Sequence, residues 1–96
     1  MMDDIKLFIV GAGSIGKRHI RNSISLGVNP ENIISLDTRD DRIDEARSLG
    51  VKKVYKDFEQ ALKENFDAAI VCSPTSLHIE QSLKLANLNK HLLIEK

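Results

Sequence analysis

Tryptophan is absent, and aromatic residues make up only 4% of the 96 residues. Single-stranded nucleic acid is held on aromatic stacking platforms, so this composition argues against one. Charge of either sign is not in excess: 14 Lys and Arg stand against 14 Asp and Glu, which leaves no basic footprint for a phosphate backbone. Cysteine occurs once, at Cys72, so no internal disulfide can form and no Cys cluster has the spacing of a metal site. No apolar run approaches the roughly 18 residues of a membrane span. The acidic start, Met1-Met2-Asp3-Asp4, is the reverse of a secretory signal. Repeats, low-complexity tracts and linkers are also missing. These absences lead us to expect one small domain (residues 1–96), cytoplasmic, with no nucleic-acid partner, no membrane and no metal.

What is present is an alternation of short apolar runs and helical patterns. Residues 5–10 are expected to form a strand ending at Gly11, and residues 14–26 a helix with Ile15, Ile20 and Ile24 apolar and Gly27 as its stop. Val28-Asn29-Pro30 reads as a turn. Residues 33–36 form a second strand closed by Asp37. Residues 40–49 form a helix with Ile43, Ala46 and Leu49 on one face and Gly50 as its cap. Residues 51–55, interrupted by Lys52 and Lys53, suit an edge strand. Asp57 caps a short helix, and residues 68–72 form a fourth strand. Residues 77–88 form a helix with Ile79, Leu83 and Ala86 as its packing face, and residues 92–94 a fifth strand. The central strands are continuous apolar runs, the pattern of a parallel sheet buried on both faces. Right-handed crossovers then give an α/β, doubly wound sheet of order 3-2-1-4-5, with loops 1 and 4 meeting at the switch point.

The loop after the first strand admits two meanings. Gly11, Gly13 and Gly16 spell G-x-G-x-x-G, a dinucleotide fingerprint, while Gly11, Gly16 and Lys17 spell most of a triphosphate P-loop. The P-loop reading fails at Arg18, which stands where a Ser or Thr hydroxyl should ligate Mg²⁺. The dinucleotide reading passes: the glycines follow a strand, open a helix, and are followed by Asp37, 21 positions past Gly16. Pyrophosphate would sit on the free N–H groups of that helix. A generic glycine-rich turn is the plainer alternative. A carboxylate at Asp37 accepts from the adenosine ribose hydroxyls and repels a 2′-phosphate, which favours NAD over NADP. Arg39 and Arg42 blur this preference, because either could turn toward a 2′-phosphate or stack on adenine; a solvated first turn of the second helix is the plainer reading of both.

Residues 72–96, CSPTSLHIEQSLKLANLNKHLLIEK, carry a more distinctive pattern. Pro74, Thr75 and His78 resemble the P-[NT]-x-x-H loop of the glucose–fructose oxidoreductase/inositol dehydrogenase (Gfo/Idh/MocA) family. Lys90-His91 and Glu95-Lys96 resemble that family's G-K-H…E-K-P segment, with Asn89 in place of the glycine. The run from Gly11 through Ser14 and Ile15 to Gly16, with His19, is similar to its opening. The resemblance covers the whole chain and implies a Rossmann-like cofactor domain, the N-terminal part of a larger enzyme whose C-terminal domain is absent from this sequence. It implies hydride transfer between NAD(P) and a secondary alcohol or ketone of a sugar or cyclitol. A stand-alone NAD(H)-sensing module is the rival reading.

By the same resemblance, Lys96 contacts the substrate hydroxyl and assists proton removal, and Glu95 bonds the nicotinamide ribose. Ser73, Pro74 and Thr75 line the cleft opposite the glycine loop, with Cys72 beside them as a small buried side chain. Ser76 capping the helix is the plainer reading of that turn. His78 orients the loop as a neutral imidazole that touches the cofactor. His19 reads as a packing or surface residue, and Lys17, Arg18 and Arg21 as a solvated helix face. Leu92, Leu93 and Ile94 at an uncovered sheet edge lead us to expect self-association.

Overall fold

The structure is a computed structural model; it describes residues 5–88 and 90–95, the side chains of Thr75 and His78 excepted. Strand β1 (Leu7–Val10) leads into helix α1 (Ser14–Ser25), and a 3-10 turn (Pro30–Asn32) precedes β2 (Ile33–Leu36). Helix α2 (Asp40–Ser48), β3 (Lys53–Tyr55), the short α3 (Phe58–Ala61), β4 (Ala68–Val71), α4 (Thr75–Ala86) and β5 (His91–Ile94) follow. All strand pairs are parallel, in the order β3-β2-β1-β4-β5. The sequence expectation of a 3-2-1-4-5 sheet with a lysine-bearing edge at β3 therefore holds.

The two faces of the sheet carry separate cores because alternate residues of a strand point to opposite sides. Phe8 and Val10 pack with Ile34, Leu36, Ala69 and Val71 beneath α3 and α4, joined by Phe66 and Leu85. Phe66 meets Phe8 edge-on, with ring centroids 5.2 Å apart. Ile9 and Ile33 point the other way, against Ile20 of α1 and Ala46 of α2, with Val28 and Val51 beside them. Helices α1 and α2 each run into a glycine at positive φ, Gly27 and Gly50, where the chain turns back toward the sheet. Lys17 is not a free surface cation: it pairs with Glu45 and ties α1 to α2.

The structure corrects the expected packing face of α4. Ile79 and Leu83 are 76% and 62% exposed, and Ala86 is exposed too, whereas Leu85 and Gln81 face inward. Apolar residues lie on more than one side of this helix, so spacing alone does not choose the buried stripe. The inner stripe also includes a polar residue, Gln81, whose side-chain oxygen accepts from the Ser73 hydroxyl. Burial of Gln81 is tolerable because that bond satisfies it. The helix also starts earlier than expected. Pro74 occupies the cap position without a side-chain bond, so Ser76 lies inside the first turn. Among the described residues, no helix is long and apolar enough to cross a membrane, and no group of three or more His, Cys, Asp and Glu side chains converges on a point.

Candidate functional site

The C-terminal ends of β1 and β4 bring two loops into contact. The Gly11 N–H donates to the Leu36 carbonyl at 2.8 Å, and the Cys72 N–H to the Val10 carbonyl at 2.7 Å. Gly11 has φ +96°, and a Cβ there would lie 2.8 Å from the Ser73 nitrogen. The two loops can touch only across a glycine. A Cβ at Gly16 would come within 2.0 Å of the Gly11 carbonyl oxygen, so α1 packs on the turn at backbone distance. Gly13 differs from both. Its Cβ would meet only the tip of Arg42, at 3.3 Å, so the protein's own packing does not demand a glycine there. The small residue leaves room for something outside the chain.

Helix α1 begins at that point with no side-chain cap and no acidic residue in its first turn. The first-turn N–H groups of a helix lack intrahelical acceptors and carry the positive end of its dipole, which makes them an anion site. Asp37, 8% exposed, closes one side. Its Oδ2 accepts from the Ala12 N–H at 2.9 Å, and its Oδ1 from the Arg39 N–H at 3.0 Å. Arg42 Nη1 lies 3.4 Å from Oδ2. Asp37 therefore latches the glycine loop to the end of β2, a task not readable from its position in the sequence. One Oδ1 lone pair remains for a ligand hydroxyl. The Arg39 guanidinium, by contrast, turns away to Asp41 in a two-pronged contact of 3.1 and 2.8 Å. That pairing holds the Asp41 carboxyl below its ordinary range.

A cleft of about 330 Å³ runs along these groups. Gly11, Gly13, Ser14 and Ile15 line it from the first loop, Asp37 and Arg42 from the second strand and helix, and Cys72, Ser73, Pro74 and Glu95 from the opposite side. Gly16 lies behind the loop rather than in the cleft. Lys96 and Asn89 fall outside the described residues, as do the side chains of Thr75 and His78. A smaller hollow of about 200 Å³ continues past Asp37 and Pro74, and is lined by Leu36, Thr38, Phe58, Leu77, Lys56 and Gln81 among others. Sequence reading missed this second hollow because its walls come from α3, α4 and the ends of β2 and β3. Cys72 is only partly buried, since the strand ends at Val71 and leaves it at the cleft wall. Burial, and then the Glu95 carboxylate, push its thiol up to about 11. Glu95 Oε2 in turn lies 3.0 Å from His19 Nε2, a bond across 76 positions that the sequence did not disclose.

A family model for oxidoreductases with an NAD-binding Rossmann fold (GFO_IDH_MocA) matches residues 5–96. The chain belongs to that family. The myo-inositol 2-dehydrogenase of Thermotoga maritima is 36% identical over 94 residues, which are 96% of this chain and 28% of that protein. The scyllo-inositol 2-dehydrogenase (NAD(+)) of Bacillus subtilis is 28% identical across 100% of this chain and 29% of its own length. Among solved structures, the scyllo-inositol dehydrogenase of Lactobacillus casei with bound NAD(H) and scyllo-inositol superposes with a TM-score of 0.80. It is 31% identical, over 96% of this chain and 28% of that one. The chain thus spans under a third of the relatives it matches. In an NAD-binding Rossmann domain the dinucleotide lies across the switch point of the sheet. In this chain the loops after β1 and β4 meet at that point, beside the cleft that Ser14, Asp37 and Glu95 line.

Proposed function

We propose that this chain is the cofactor-binding domain of an NAD-dependent dehydrogenase that moves hydride between the nicotinamide and a secondary alcohol or ketone of a sugar or cyclitol. The observation that carries the reading is the single cleft that runs from a buried acid, past an uncapped helix N-terminus, to a carboxylate beyond the last strand. When bound there, the nicotinamide supplies the hydride donor or acceptor. The first-turn amides of α1, at Ser14 and Ile15, hold the pyrophosphate, with Gly13 giving it access. Asp37 accepts from an adenosine ribose hydroxyl, and the hollow between Phe58, Leu77 and Pro74 takes the adenine. Glu95 accepts from the second ribose. Lys96, by its likeness to the family's Glu-Lys motif, holds and moves the proton of the substrate hydroxyl.

NAD is favoured over NADP on two grounds. Asp37 would repel a 2′-phosphate, and the nearby cations Arg39, Arg42 and Lys56 are already paired, with Asp41, Asp37 and Asp40. The inositol dehydrogenases among the relatives support the cyclitol class, and their greater length supports joint action with a substrate-binding domain. We place the protein in the cytoplasm. The apolar groups left exposed on α4 and β5, among them Ile79, Leu83, Leu93 and Ile94, support self-association or a covering domain. Calorimetric titration with NAD, NADP and ATP tests the cofactor assignment: NAD binds most tightly, and binding of ATP in preference to NAD overturns it. NADH absorbance tests the reaction, with the chain fused to the substrate domain of such a relative and offered inositols and sugars. Failure to reduce NAD with any of them contradicts the assigned chemistry.

A further inference from the structure

We propose that His19 is a positioning residue for the nicotinamide half of the cleft, acting through Glu95. The inference rests on the assignment of Glu95 to the second ribose, and adds the group that orients it. His19 lies on α1, one turn past Gly16, and Glu95 follows the edge strand β5. The backbone of Glu95 is fixed by its N–H bond to the Val71 carbonyl at 2.9 Å, but its side chain is long and rotatable. The imidazole of His19 meets Glu95 Oε2 at 3.0 Å, and the two side chains are 21% and 36% exposed. With its proton on Nε2, the ring donates to that oxygen. Glu95 also lines the cleft, and a carboxylate has a second oxygen with which to accept.

The arrangement has a direct consequence for binding. A glutamate free to rotate loses side-chain entropy when it accepts a ligand hydroxyl, and one already held by His19 does not. The same bond ties the helix that receives the pyrophosphate to the strand end that faces the nicotinamide. The two halves of a dinucleotide are thereby presented in fixed register. Immobilising one such side chain corresponds to about a two- to tenfold change in affinity.

The test compares NAD with ADP, which lacks the nicotinamide riboside, on the unmodified chain, His19→Ala, His19→Gln, Glu95→Ala and the His19→Ala/Glu95→Ala pair, with folding checked by thermal melting. We expect His19→Ala to weaken NAD about two- to tenfold while ADP stays within twofold. His19→Gln restores NAD binding, because its amide nitrogen reaches Oε2 as Nε2 does. The double variant binds NAD no more weakly than Glu95→Ala alone. Equal losses for ADP and NAD in His19→Ala, additive losses in the double variant, or no loss at all would each overturn the inference and leave the cofactor site standing. An unmodified chain that binds neither NAD nor ADP overturns the proposed function, and this inference with it.

Discussion

Two glycines of one fingerprint should fail in opposite ways when replaced by alanine. At Gly16 the added Cβ would lie 2.0 Å from the Gly11 carbonyl oxygen, a backbone atom that cannot rotate away. Gly11 is itself pinned by its bond to Leu36, at 2.8 Å, and by its contact with Ser73. Relief therefore needs α1 to move off the sheet by more than an ångström, opening the core around Ile9 and Ile20. Overpacking of this kind costs about 3 kcal/mol or more, and alanine's helix propensity returns at most about 1. The net loss, ~2–3 kcal/mol, is a large part of the total stability of a domain this size. It should lower the melting temperature by about 10–20 °C. At Gly13 the Cβ meets only the flexible end of Arg42, and the backbone, at φ −69° and ψ −164°, suits alanine. Gly13→Ala should melt within about 3 °C of the parent, since the unfolded-state gain and the lost cap preference nearly cancel. It should nevertheless bind NAD more weakly, because the methyl group intrudes where the pyrophosphate is placed. Circular dichroism melts and calorimetry read both effects. A Gly16→Ala protein as stable as the parent, or a Gly13→Ala protein as unstable as Gly16→Ala, would refute the division of labour.

Asp37→Ser should narrow the preference for NAD over NADP and also destabilise the domain by about 1–3 kcal/mol, because the Ala12 N–H loses a buried acceptor; a variant as stable and as selective as the parent would show that Asp37 does neither. Ile79→Lys with Leu83→Lys should change stability by less than about 0.5 kcal/mol, since both side chains are exposed, while sedimentation shows less self-association; a large loss of stability would mean that this stripe packs inward after all. The Cys72 thiol, held up at about 11 against an ordinary 9.0, favours its neutral form, which persists until pH rises through the folded value. Alkylation near neutral pH should be about a hundredfold slower than for an unshifted thiol, and Glu95→Gln should quicken it; a rate that levels off near pH 9 would contradict the assigned environment.

The sequence disclosed what local rules govern and concealed what depends on distant partners. Strand β2 was legible to the residue because the run 33–36, apolar but for Ser35, sits between the polar Asn32 and Asp37. The start of α3 was legible because Asp57 caps it, accepting from the Glu59 N–H at 3.0 Å. The glycine loop and Asp37 could be placed in one cleft from topology alone. The inward face of α4 could not, since either stripe of that helix offers apolar residues and the choice is made by the sheet beneath it. Spacing was equally silent about the latch from Asp37 to Ala12 and the bond from Glu95 to His19. Both join residues far apart in the chain whose meeting depends on the order of the strands.

The central claim is that this chain holds NAD along the C-terminal edge of its sheet. Amide chemical shifts of ¹⁵N-labelled protein, followed as NAD is added, test it most directly. The account predicts saturable shifts at residues 11–16, 37–39, 72–73 and 95, with the outer face of α4 unmoved. Shifts centred on Ile79 and Leu83, or none in the glycine loop at millimolar NAD, would contradict it.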